Sequence, residues 1–252
     1  MIRNIYFFEK GFGKPLILIH GLGLNHSIWE KNVQSLYSCF RVILPDMRAH
    51  GKSFSSSEGF TMRDMGEDVV RIMDQLNIPS AIIVGHSMGG YIALSILENF
   101  PERIFGIALI ASHIYADLAI NKKQRIKMAE QLIKEKPSDV FYEMPDKLTQ
   151  DRKIRDSCRK MINQTDAAGM RRVLIAMASR PSSKELWKRN TKPSIIIAGK
   201  EDCFISIETI NKMRALNKQT EIHLIESAGH MVMMEKPEIT SQLLSTWAGR
   251  IR

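Results

Sequence analysis

The sequence predicts an α/β fold, a mostly parallel sheet with helices on both faces. Three observations predict it. Short apolar runs recur along the chain and end at turn residues. Helical stretches separate them, and the runs stay apolar on both faces, as buried parallel strands do. At 252 residues and 44% hydrophobic, the chain is long enough to bury one large core.

The elements follow in order. "PLILIHG" (15–21) and "FRVILPD" (40–46) read as buried strands. "TMRDMGEDVVRIMDQLN" (61–77) places Met62, Met65, Val69, Ile72, Met73 and Leu76 on one helical face, with Thr61 and Asp64 suited to start it. "SAIIVG" (80–85) is a strand, and "YIALSILENF" (91–100) a helix stopped by Pro101. "RIFGIALIAS" (103–112), "KPSIIIAG" (192–199) and "TEIHLIES" (220–227) continue the sheet, and 238–249 closes as an amphipathic helix. One interval breaks the rhythm: 113–190 holds helical stretches at 119–136, 138–147, 150–163 and 165–179, and no convincing strand. The expected division is therefore a core of 1–112 and 191–252 with a helical cap, 113–190, inserted over the sheet. Ligands of such sheets bind at the strand carboxyl ends, so a cap there would form a lid.

Charge locates a possible partner surface. Of the net +9, 113–190 supplies +8, from 18 Lys/Arg against 10 Asp/Glu. Basic and acidic residues are interleaved there, which reads as solvated helix faces rather than a nucleic-acid patch. The sharper reading is a surface that steers an anionic substrate or an acidic partner. Cys39, Cys158 and Cys203 are odd in number and widely spaced, which argues against a disulfide framework or a zinc site. The N-terminal stretch has no signal-peptide pattern, and no apolar run approaches a membrane span. A cytoplasmic protein is expected, with neither nucleic acid nor membrane as partner.

The chemistry centres on "VGHSMGG" (84–90). A Gly-x-Ser-x-Gly between a strand and a helix forces a sharp turn with Ser87 at its apex and the Met88 N–H aimed above it. A serine hydroxyl needs a base, itself oriented by an acid. "GKED" presents Asp202 after one strand and "AGHM" presents His230 after the next, so all three project from the same sheet edge. Glu201 adjoins Asp202 as a competing acid, and the acids from Asp117 to Asp166 lack a strand end. "HGLG" (20–23) supplies the Leu22 N–H as a second oxyanion donor. His20 reads as a brace for that loop, His223 as a half-buried strand residue, and His113 as a residue able to line the pocket. Met88, Met170, Met177, Met231, Met233 and Met234 read either as an adaptable pocket wall or as core. Arg180 reads either as a pocket-mouth cation or as a surface residue beside a turn.

Together "HGLG", "PDMRAHGKS", "GHSMGG", "GKED" and "AGHM" resemble the α/β-hydrolase superfamily, specifically its small esterase-like members with a helical cap. Ala49 stands where that family usually has glycine. The resemblance implies Ser87 as nucleophile, Asp202 as orienting acid and His230 as base. It implies hydrolysis of a small carboxylic ester, thioester or lactone, with no metal or organic cofactor. Acyl groups on an acidic acyl carrier protein would give the basic cap a use. Two alternatives stay open: hydrolysis of a carbon–carbon bond in a 1,3-dicarbonyl, and a non-catalytic ligand receptor on the same fold.

Overall fold

The computed structural model describes residues 5–53 and 57–251; residues 1–4, 54–56 and 252, which the sequence assigns to the core, lie outside them. Among the described residues the strands are β1 (Phe7–Lys10), β2 (Lys14–Ile19), β3 (Phe40–Pro45), β4 (Ala81–His86), β5 (Ile104–Ile110), β6 (Ser194–Gly199) and β7 (Glu221–Ile225). They form one sheet in the order β1-β3-β2-β4-β5-β6-β7. Every pairing is parallel except β1 with β3. β1 was not foreseen, because a half-exposed edge strand lacks the continuous apolar run of its neighbours.

The reason the central strands read as unbroken apolar runs is visible in their burial. β4 and β6 are buried at every position. Successive side chains point to opposite faces, so Ile17, Ile83, Leu109 and Ile196 enter one core while Leu16, Leu18, Val84 and Ile197 enter another. The first core is covered by helices Met62–Gln75, Met88–Asn99 and Ile207–Leu216, the second by Glu30–Leu36 and Pro237–Gly249. Helix Met62–Gln75 starts as its sequence suggests. Thr61 accepts from the Asp64 N–H at 3.3 Å and Asp64 accepts from the Thr61 N–H at 2.7 Å, a reciprocal cap.

Between β5 and β6 the chain forms helices Ala119–Gln131, Pro137–Val140, Met144–Leu148, Arg152–Asn163, Ala167–Ser179 and Lys184–Arg189. The expected helix at 138–147 is two short pieces, Pro137–Val140 and Met144–Leu148, parted by a turn. The "PDMRAHGKS" turn after β3 is held from inside. The Asp46 carboxylate accepts from the His26 and Lys52 N–H groups at 2.8 and 2.9 Å. Buried Arg48 donates to buried Asp68 at 2.6 Å. Ala49 adopts φ 67°, the left-handed region that favours glycine.

Candidate active site

β4 ends at His86 and helix Met88–Asn99 begins at Met88, which leaves Ser87 alone between them. Ser87 has φ 51° and ψ −114°, a conformation that costs a side-chain-bearing residue about 1–3 kcal/mol. Its surroundings impose it. The Ser87 N–H donates to the Ile110 carbonyl at 2.9 Å, and the Ser87 carbonyl accepts from the Gly90 N–H at 2.9 Å. The Ser112 hydroxyl donates to that same carbonyl at 2.7 Å, a clamp that sequence reasoning missed. The flanking glycines are needed for close approach. A Cβ on Gly85 would strike the Gly89 carbonyl, and one on Gly89 would lie 2.9 Å from the His20 carbonyl oxygen.

The other sequence-predicted residues arrive from neighbouring strand ends. Asp202 follows β6 and His230 follows β7, and both are buried. His230 Nδ1 lies 2.9 Å from Asp202 Oδ2. Asp202 Oδ1 accepts from the Phe204 and Ile205 N–H groups at 2.8 and 3.1 Å. An ionised carboxylate accepts only, so Nδ1 carries the proton and Nε2 is left with a lone pair. Ser87 and His230 line one cavity of about 690 Å³ with Leu22, Phe141, Leu174 and Phe204. Among the described residues no hydrogen bond reaches the Ser87 hydroxyl, an open arrangement common where no substrate is bound. The Leu22 N–H likewise has no protein partner among them, nor does the Met88 N–H at the helix start, where none exists within the helix. Glu201 is exposed and accepts nothing from His230, so Asp202 is the acid in contact.

Three further histidines hold this geometry. The His20 Nδ1–H donates to the Gly21 carbonyl at 2.8 Å while Nε2 accepts from the Met47 N–H at 2.9 Å. His50 repeats the pattern, from Nδ1 to the Arg48 carbonyl at 3.0 Å and from the Gly23 N–H to Nε2 at 3.0 Å. Each ring therefore ties the Leu22 loop to the turn after β3. His50 was missed because nothing local in "AHGK" signals a contact with Gly23. The third, His86, donates from Nε2 to the His230 carbonyl at 3.1 Å and packs 5.0 Å from that ring.

Burial holds these rings neutral: His20 at about 4, His50 at about 3, and His86 well below the ordinary value. The unfolded histidines titrate near 6.5. Between the folded and unfolded values the unfolded chain binds more protons, so stability falls as pH drops. The melting temperature is expected to decline from about pH 6.5 towards pH 4; a flat profile over that range would contradict this account.

Two pairs of alternatives are decided. Arg180 is not a surface residue: it is buried, pairs with Asp117 at 2.9 Å, and lines a separate cavity of about 240 Å³ with Tyr91 and His113, not the one at Ser87. Of the methionines offered as a pocket wall, Met177 lines the cavity, whereas Met88, Met170, Met231 and Met233 are fully buried core residues and Met234 packs against the core.

A model of the alpha/beta hydrolase fold family matches residues 14–191. The chain belongs to that family. It is similar to the dihydrolipoyllysine-residue acetyltransferase component of the acetoin cleaving system of Pseudomonas putida, 29% identical over 95% of this chain. The chain spans 65% of that relative's length. It is 29% identical to 3-oxoadipate enol-lactonase 1 of Acinetobacter baylyi, over 94% of this chain and 89% of that one. A malate-bound thermophilic esterase from Thermogutta terrifontis superposes with a TM-score of 0.94 at 28% identity, covering 98% of this chain and 93% of that one. By family this α/β-hydrolase is accordingly an enzyme, and an esterase and an enol-lactonase are among the proteins it is similar to. No helix among its described residues is long and apolar enough to cross a membrane.

Proposed function

We propose that this hydrolase cleaves a small carboxylic ester, thioester or lactone through Ser87, His230 and Asp202. The observation that carries the reading is the Asp202–His230 contact of 2.9 Å over the cavity that strained Ser87 also lines. Ser87 Oγ attacks the carbonyl carbon and passes its proton to His230 Nε2. The carbonyl oxygen, now negative, is taken by the Leu22 and Met88 N–H groups. Losing one such donor typically costs about 100- to 1000-fold in rate. His230 returns the proton to the leaving alcohol, thiol or ring oxygen, which leaves an acyl group on Ser87. Water, deprotonated by His230, attacks that acyl group; as the bond to Ser87 Oγ breaks, His230 returns the proton to Oγ and the acid is released.

Residues 113–190 are read as a cap, since helix Ala167–Ser179 supplies Leu174 and Met177, and the turn after Pro137–Val140 supplies Phe141, to the cavity wall. The free cysteines, two of them exposed, support a reducing, cytoplasmic setting. The partner is a small-molecule acyl substrate. The test is turnover of a graded panel of p-nitrophenyl esters, lactones and thioesters, including a carrier-bound thioester and a vinylogous diketone. Multiple turnovers on an ester, thioester or lactone and fluorophosphonate labelling of Ser87 are expected. Turnover confined to the diketone would make it a carbon–carbon hydrolase, and none at all with no labelling would make it a receptor.

A further inference from the structure

The wall of the cavity that Ser87 lines carries two hydrogen-bond donors with no acceptor among the described residues. The first is Arg125, on helix Ala119–Gln131. Its Nε donates to Asp117 at 2.7 Å, and its Nη1 meets only the Met177 sulfur at 3.9 Å. Nη2 has no hydrogen bond among the described residues, and the side chain, 23% exposed, lines the cavity. Asp117 does not neutralise it. Its second oxygen is taken by Arg180 at 2.9 Å, and Asp117 and Arg180 are both buried. Arg125 and Arg180 outweigh the effect of burial and hold the Asp117 carboxyl below its ordinary range. Two guanidinium groups thus share one carboxylate, and a positive charge is left over. The other charged residues along the cavity cancel, Lys127 and Lys147 against Asp139 and Glu143.

The second donor is Tyr91, and its direction follows from a chain of protons. The Tyr115 N–H donates to His113 Nδ1 at 3.1 Å, so that nitrogen bears no hydrogen. Burial first, then Arg180, holds His113 neutral with a value of about 4. The ring hydrogen is therefore on Nε2, which lies 3.0 Å from the Tyr91 oxygen and donates to it. The Tyr91 oxygen is an acceptor there, so its own hydrogen is free to donate to a ligand. Tyr91 lines the same cavity, under the field of Arg180 and Arg125, with the Arg180 guanidinium 3.8 Å above its ring.

A guanidinium edge only half compensated by Asp117 and a hydroxyl hydrogen left free by His113 call for an anionic oxygen acceptor, and planar paired donors match a carboxylate. We propose that Arg125 and Tyr91 form a carboxylate subsite, so that the substrate is an ester or lactone bearing a second, free carboxylate. This rests on the proposed hydrolase reading, in which the scissile carbonyl occupies the cavity at Ser87.

Binding separates the two claims from each other. In a Ser87→Ala background, monomethyl glutarate and its neutral counterpart, dimethyl glutarate, are titrated by calorimetry, with circular dichroism as the folding check. Monomethyl glutarate is expected to bind at least about tenfold tighter, the usual worth of a charged hydrogen bond. Adding Arg125→Gln brings the ratio of the two dissociation constants towards one, Arg125→Lys keeps part of it, and Tyr91→Phe weakens the anion severalfold. A ratio near one without these changes, a ratio that survives Arg125→Gln, or no anion binding at millimolar concentration overturns the subsite. If the ratio behaves as stated while the wild-type protein turns over neither these esters nor any ester, thioester or lactone of the panel, the hydrolase reading fails and the subsite stands.

Discussion

Replacing Ser87 with alanine is expected to lower kcat on the best ester of the panel by about a millionfold, the scale seen when a triad nucleophile is removed. The loss is large because the other parts of the site act only through the Ser87 oxygen. His230 has no proton to take, and the Leu22 and Met88 N–H groups have no oxyanion to hold. Folding should survive, since alanine keeps the Cβ, the N–H bond to Ile110 and the carbonyl clamp from Ser112. Glycine at 87 makes the complementary measurement. It removes the side-chain penalty at φ 51°, so Ser87→Gly is expected to gain about 1–2 kcal/mol while remaining inactive. For a domain of this size that is a rise in melting temperature of about 2–4 °C per kcal/mol. An alanine variant retaining a tenth of wild-type turnover would remove Ser87 from the chemistry.

The second large effect is expected from Asp202→Asn, at about ten-thousandfold in kcat. The direction comes from the backbone around the carboxylate. Phe204 and Ile205 both present N–H donors to Oδ1, so an asparagine side chain settles with its oxygen there. Its NH2 must then face His230 Nδ1, which becomes an acceptor. The imidazole proton moves to Nε2, the nitrogen that has to receive the Ser87 proton, and the base is blocked with hardly any change in shape. Turnover of the same ester and an unchanged melting temperature would check this. An asparagine variant within tenfold of wild type would show that the contact does not set the tautomer.

The fold was legible because its signals are local. Parallel strands covered on both faces must be apolar at successive positions, and β2, β4, β5 and β6 are. The strand-end positions of Ser87, Asp202 and His230 were legible for a related reason: in a parallel sheet every carboxyl end lies on one edge, so chain order predicts meeting place. Edge strand β1 and helix Ile207–Leu216 escaped notice. Their burial is one-sided, and their patterns are brief.

What the amino-acid order determined by itself was thus the sheet, the turn that strains Ser87 and the order in which Asp202 and His230 follow it at neighbouring strand ends. Tertiary structure alone decided that Arg180 is buried against Asp117, that His50 reaches Gly23, and that Tyr115, His113 and Tyr91 form one line of protons. The physical reason is range. Apolar periodicity and glycine spacing act over a few residues and leave a repeating mark. A hydrogen bond or ion pair is satisfied by whichever group comes within about 3 Å, and Asp117 and Arg180 meet only after two helices have packed.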